Sequence, residues 1–208
     1  MSDLSQITAV ILAGGLGTRL RKVVSDRPKV MVQINGKPFL YYLLDQLTQA
    51  TIKSVVISTG YKANIVENTV GSTYNGLRVN YSREKIPLGT AGALKLAGRL
   101  VNTKFCLVMN GDSYAELDLD SLLAAHEESD AKITIVFRAV EDSTRYGRIN
   151  MDKNNNIIAF TEKDVSAGPG LINAGVYIVN THFVQEIPDT TPCSLEYDFL
   201  PSIIGKGI

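Results

Sequence analysis

The sequence predicts an α/β protein: a Rossmann-like, mostly parallel but mixed sheet, helices on both of its faces, and an antiparallel excursion in its second half. Three observations carry this prediction. The first half alternates apolar strands with helix-periodic runs. Several of those strands are apolar throughout, as expected where helices cover both faces of a parallel sheet. From Ile133 onward, short β-rich runs follow one another directly.

In chain order, residues 7–13 read as a strand running straight into Gly14, Gly15 and Gly17. Residues 38–50 (PFLYYLLDQLTQA) have helical apolar spacing, and residues 54–58 (SVVIS) form a continuous, largely β-branched run, completing a βαβ unit. A helix at 63–70, a strand at 77–81, a helix at 91–101 and a very apolar strand at 105–109 (FCLVM) follow. Asp118 and Asp120 precede a helix at 121–128, where carboxylates favour the amino end. Then ITIVF at 133–137 is followed by GRINM and IIAF, which are separated by residues 152–156 and read as a hairpin. With no repeat, low-complexity stretch or linker, one domain over 1–208 is expected.

Composition narrows the function. A chain of 208 residues with 45% hydrophobic content can bury one sizeable core. Lys plus Arg and Asp plus Glu are both 21, so no general field attracts nucleic acid or an anionic membrane, and any anion site must be local. The first residues lack the charge pattern of a signal peptide, and no apolar stretch approaches membrane-spanning length. Cys106 and Cys193 form no C-x-x-C pair, which argues against a disulfide framework or zinc site. A cytoplasmic setting is expected, with Asn80-Tyr81-Ser82 an unused sequon. His126 and His182 are expected as helix surface or packing residues rather than ligands.

The segment 7–29 (ITAVILAGGLGTRLRKVVSDRPK) carries the chemistry. Gly14, Gly15 and Gly17 let backbone N–H groups approach phosphate oxygens closely, and Arg19 and Lys29 supply positive charge. A dinucleotide fingerprint fails at Leu20, and a P-loop fails because neither Gly36-Lys37-Pro38 nor Gly205-Lys206-Gly207 has the required Ser or Thr. Ligands of open α/β sheets bind beyond the carboxyl ends of the strands. Asp112, after the apolar strand at 105–109, would therefore face the same crevice as Gly14. A carboxylate beside a triphosphate suits Mg²⁺.

Gly-Gly-x-Gly-Thr-Arg-Leu after a strand, with Pro28-Lys29 about ten residues on, resembles the signature of the sugar-phosphate nucleotidyltransferases. The resemblance extends through Leu88-Gly89-Thr90-Ala91-Gly92-Ala93, similar to the family's nucleobase loop, and through Tyr146-Gly147, Glu162-Lys163 and Asn173-Ala174-Gly175 on its sugar-phosphate side. GLINAGVY (170–177) and SLEYDFLP (194–201) are most similar to the guanylyltransferases acting on D-glycero-α-D-manno-heptose 1-phosphate.

The resemblance implies the nucleotide-diphospho-sugar transferase type of fold. It implies transfer of GMP from GTP to a sugar 1-phosphate, with pyrophosphate released and an NDP-sugar formed for surface polysaccharide synthesis. Residues 1–112 would mainly form the nucleotide lobe and 113–208 mainly the sugar-phosphate lobe. Arg19, Lys29 and Asp112 would be catalytic. Leu12, Ala13, Gly14, Gly15, Gly17, Thr18, Gly89, Thr90, Asn110 and Gly111 would hold the nucleotide, and Tyr146, Gly147, Glu162, Lys163, Asn173 and Gly175 the sugar phosphate. Mg²⁺ would sit on Asp112. Relatives carry a second metal aspartate in a Phe-x-Asp-x-Gly-Thr-Pro turn, and no such turn follows Gly205-Lys206-Gly207-Ile208 in this chain.

Glu84 gives a physical reason for guanine. In thymidylyl members an amide side chain stands five positions before the glycine of the nucleobase loop, and here Glu84 stands five before Gly89. A carboxylate accepts from guanine N1–H and N2 together, whereas thymine or uracil would turn carbonyls to it. Mannose 1-phosphate, phosphocholine, or a non-catalytic nucleotide-sugar sensor stay open as alternatives, as does a homo-oligomer.

Overall fold

The computed structural model describes residues 3–15, 26–144, 146–154, 156–161 and 168–206. The first strand is β1 (Thr8–Leu12). A 3-10 turn at Lys29–Met31 and a two-stranded ribbon, β2 (Gln33–Ile34) with β3 (Lys37–Pro38), lead into α1 (Phe39–Gln49). Leu40, Leu43, Leu44 and Leu47 recur at helical spacing and are fully buried, so α1 is held by one apolar stripe. There follow β4 (Ser54–Thr59), α2 (Ala63–Val70), β5 (Thr73–Tyr74), β6 (Leu77–Arg83), α3 (Gly89–Gly98), β7 (Phe105–Asn110) and α4 (Leu119–Glu128). The remainder is β8 (Ile133–Val140), β9 (Arg148–Met151), β10 (Ile157–Thr161), β11 (Gly170–Asn180), α5 (Thr181–Val184), a π-helical turn at Leu195–Phe199 and α6 (Leu200–Ile203).

Nine strands of the described residues form one mixed sheet in the order β10-β9-β11-β7-β1-β4-β6-β5, with β8 also paired to β11. β7, β1, β4 and β6 run parallel. β11 is antiparallel to β7, β8 and β9, and β9 with β10 is the hairpin expected from sequence. Because side chains alternate along a strand, β1 divides between two cores. Ala9 and Ile11 pack with α1, α2 and α4, while Val10 packs with α3, α5 and α6. That is why the strands read as apolar throughout.

Two helix boundaries differ from expectation. α3 starts at Gly89 and ends at Gly98, not 91–101, because Arg99, Leu100 and Val101 donate to carbonyls three residues back and tighten into 3-10 geometry. α4 starts at Leu119, not 121, because the Asp118 carboxylate caps it by accepting the Ser121 N–H at 3.1 Å.

His126 is a packing residue, as expected. It meets the Phe105 ring edge-on at 4.8 Å, its Nδ1 lies 2.7 Å from Thr134 Oγ1, and burial pulls its pKa down. His182 is exposed on α5. Cys106 and Cys193 are buried and unpaired, and burial pushes the Cys106 thiol up to about 12. No helix of the described residues is long and apolar enough to cross a membrane.

Candidate active site

The carboxyl ends of β1, β6 and β7 open on one cleft of ≈ 930 Å³. Leu12, Gly14, Gly15, Glu84, Gly89, Thr90, Asn110 and Asp112, expected for the nucleotide, line it together with Tyr146, Gly147, Asn173 and Gly175, expected for the sugar phosphate. Ala13 and Gly111 lie just beneath: the Gly111 N–H donates to the Leu12 carbonyl at 2.9 Å, and a Cβ on Gly111 would stand 2.8 Å from that oxygen. Gly17, Thr18, Arg19, Glu162 and Lys163 lie outside the described residues.

Gly14 is required by proximity. A Cβ there would stand 1.8 Å from Glu84 Oε1, so the absent side chain is what admits the carboxylate. Glu84 is held from two sides: the Ser58 hydroxyl donates to Oε1 at 3.3 Å and the Leu88 N–H to Oε2 at 3.0 Å. Burial raises its pKa above the usual carboxylate range, against those two bonds, which lower it. Each oxygen accepts one protein bond and keeps a lone pair for another donor.

Gly89 opens α3 with a φ of +76°, and a Cβ there would lie 2.3 Å from the Cys193 carbonyl oxygen. That carbonyl accepts the Ala91 N–H at 3.0 Å, the Cys193 N–H donates to the Leu88 carbonyl at 2.8 Å, and the Leu195 N–H donates to Thr90 Oγ1 at 2.7 Å. Residues 193–195 thus form a strap over the amino end of α3 and satisfy amides that a helix start leaves unpaired.

Lys29 and Asp112, expected in one crevice, are an ion pair: Nζ to Oδ2 is 2.7 Å, with the side chains 43% and 48% exposed. Asn110 Oδ1, two residues before Asp112, is buried and lacks a hydrogen-bond partner among the described residues. A carboxylate at a strand end, lining the cleft, is a hard oxygen donor of the kind Mg²⁺ takes. Among the described residues no cluster of three or more His, Cys, Asp or Glu could hold a metal, so phosphate oxygens and water would complete the shell.

Glu196 was not anticipated. From the π-helical turn its Oε2 accepts Thr90 Oγ1–H at 3.0 Å, and its Oε1 accepts the Tyr177 hydroxyl at 3.0 Å and Asn110 Nδ2 at 3.3 Å. Asn173 Nδ2 donates to the Tyr177 oxygen at 2.7 Å and Asn173 Oδ1 accepts the Gly175 N–H at 2.8 Å. Burial, and then the Glu196 charge, push the Tyr177 phenol well above its ordinary pKa. Asn173, expected to bind sugar hydroxyls, lines the cleft, and its amide keeps a second N–H and a second oxygen lone pair beyond the bonds to Tyr177 and Gly175. Gly175, φ +74°, lets Asn110 approach: a Cβ there would lie 2.8 Å from Asn110 Nδ2. Arg148 and Tyr197 also line the cleft unanticipated.

A mixed α/β sheet whose glycine turn and lone strand-end aspartate share one cleft defines a nucleotide-handling protein of the Rossmann-like class. The chain belongs to the nucleotidyl transferase family, which matches residues 8–207. It is 40% identical, over 92% of its length and 83% of the relative's, to D-glycero-alpha-D-manno-heptose 1-phosphate guanylyltransferase of Aneurinibacillus thermoaerophilus. It is 35% identical to mannose-1-phosphate guanylyltransferase of Mycobacterium tuberculosis over 97% of this chain and 56% of that one. HddC of Yersinia pseudotuberculosis, crystallised with GMP-PN, superposes with a TM-score of 0.82 at 38% identity, covering 94% of this chain and 85% of that one. The fold is that of the nucleotide-diphospho-sugar transferases.

Proposed function

We propose that this nucleotidyltransferase moves GMP from GTP to a sugar 1-phosphate, D-glycero-α-D-manno-heptose 1-phosphate in the first instance, with residues 1–112 mainly serving the nucleotide and 113–208 mainly the sugar phosphate. The observation that carries the reading is convergence: Gly14, Glu84 and Asp112 line one cleft with Tyr146, Gly147 and Asn173. The names of the relatives from Aneurinibacillus and Yersinia support guanine and heptose.

A sugar 1-phosphate oxygen attacks the α-phosphorus of the triphosphate in line, the new P–O bond forms, and pyrophosphate leaves. Two anions must meet, so the protein's work is positioning and neutralisation. Backbone amides at Gly14 and Gly15 cradle phosphate, and Lys29 moves from Asp112 to bridge the α-phosphate and the incoming one. Arg19 opposes the leaving β- and γ-phosphates, and Lys163 holds the sugar phosphate. Glu162 and the Gly147 backbone take sugar hydroxyls, and the Asn173–Tyr177–Glu196 network holds that wall rigid. Asp112 would hold Mg²⁺, which would supply positive charge to the phosphates.

Pyrophosphate release should be measured with GTP and heptose 1-phosphate, mannose 1-phosphate or phosphocholine. Release fastest with the heptose is expected; binding of NDP-sugar without release from any acceptor would make the chain a sensor. Truncating Arg19 or Lys29 should lower kcat more than it raises the sugar KM, because the charges they oppose develop on the triphosphate during transfer. Normal turnover with only a raised sugar KM rejects those roles.

Glu84→Gln should cost GTP roughly 1–3 kcal/mol in kcat/KM, since an amide turns one donor toward guanine's two donors. UTP and dTTP should lose less or gain. The raised Glu84 pKa adds a pH test: guanine preference is present when the group is ionised and is lost as pH falls through that value, an acid limb missing from the Gln variant. An unchanged GTP preference would mean the base is read by backbone at 12–15 and Gly89.

A further inference from the structure

A second concavity, ≈ 510 Å³, opens at the other end of the sheet, at the amino ends of β1, β4 and β6 and under the carboxyl end of α3. Lys53, Arg78 and Arg99 line it, and among the described residues no Asp or Glu does. Register fixes the arrangement. Ser54 pairs with Thr8 on one side and Arg78 on the other, the Arg78 N–H donates to the Lys53 carbonyl at 2.9 Å, and Arg99 directly follows α3. Thr8, Ser54, Arg78 and Asn80 share the α3 face of the sheet by the two-residue period, which sets hydroxyl and amide groups among the cations.

Among the described residues, ion pairs engage Arg27, Lys29, Lys37, Lys95 and Lys132, and none of these three. Arg99 acts on Asp189 at longer range, but Asp189 closes on Lys95 at 2.6 Å. The carbonyl end of α3, which opposes anions, is occupied: Leu96, Ala97 and Gly98 accept the Arg99, Leu100 and Val101 N–H groups.

We propose that this concavity is an anion site for a small phosphorylated metabolite bearing two or more negative charges, separate from the catalytic cleft. In a chain of zero net charge, three cations gathered in a hollow without a carboxylate are a local field for an anion. Two guanidiniums match phosphate oxygens bidentately, and the volume lies in the range of single-ligand pockets. Lys53, Arg78 and Arg99 are too few to track a nucleic-acid backbone.

The test is a residue-resolved amide NMR titration of the whole chain with inorganic phosphate, linear tripolyphosphate and, as a third arm, phosphatidylglycerol vesicles. Saturable shifts at Ser54, Arg78, Asn80 and Arg99 are expected with both soluble anions, with tripolyphosphate about tenfold tighter. Arg78→Ala with Arg99→Ala should abolish them while the Gly14 and Asp112 amides still respond. If that double variant fails to fold, Lys53→Ala should weaken binding about threefold, the scale of one exposed charge. Shifts confined to Gly14 and Asp112, shifts that survive in the variants, or a response of this concavity to vesicles alone would each overturn the proposal.

Discussion

Asp112→Asn is expected to lower turnover roughly 10²–10³-fold, the scale of removing one group aimed at transition-state charge, while leaving the fold nearly as stable as before. The two halves of that expectation rest on different observations. Asp112 follows β7 and lines the cleft, which is the position the proposed role at the phosphates requires. Its ion pair with Lys29 is nearly half exposed on both sides, and such pairs contribute about 0–1 kcal/mol. Turnover at saturating Mg²⁺ and the urea midpoint measure the two separately. Substantial activity retained by the variant removes Asp112 from the mechanism; a large loss of stability makes the residue structural.

Gly89→Ala is expected to be the most damaging of the glycine substitutions on the nucleotide side. It combines a φ of +76° with a Cβ position 2.3 Å from a backbone oxygen that has no free rotor to swing away. Left-handed backbone costs a non-glycine residue about 1–2 kcal/mol, and displacing the 193–195 strap adds the hydrogen bonds it makes to α3, for a total of roughly 2–4 kcal/mol. Gly15→Ala is the control, because nothing stands within 4 Å of its Cβ position. Gly14→Ala is a third case: the atom in the way is the mobile end of Glu84, so stability should change little while GTP preference falls toward that of Glu84→Gln. Equal urea midpoints for the Gly89 and Gly15 variants would show that the strap gives way freely.

Most of the fold was legible because its signals are local. The β-branched run at 54–58 and the apolar run at 105–109 are strands buried on both faces, and the glycines after β1 and the aspartate after β7 took their places from one topological rule. The helix ends were not legible to the residue, since the shift of α3 depends on how its last turn tightens and that of α4 on which aspartate turns its carboxylate inward. Glu196 shows the stronger limit. SLEYDFLP carried only a subfamily likeness, because nothing local says that Glu196 meets Thr90, Asn110 and Tyr177 from three separate elements. Asn173 was found by motif, but its bonds to Tyr177 and Gly175 were not, since they depend on how β11 folds back on itself.

The strap at 193–195 also sets an order of events during synthesis. Thr90 and Glu196 are 106 residues apart, and β11, which separates β7 from β8 and β9, is itself a late strand. At about 5–20 residues per second a ribosome needs roughly 5–20 s to make the intervening chain. Once α4 has been made, the nascent chain has β1, β4, β6 and β7 with α1 to α4, but the first amides of α3 lack the strap and Asn110 lacks both Glu196 and the Gly175 turn. The growing polypeptide therefore carries Gly14 and Glu84 long before Glu196 arrives to join Thr90, Asn110 and Tyr177, and the cleft gains the last part of its lining only then.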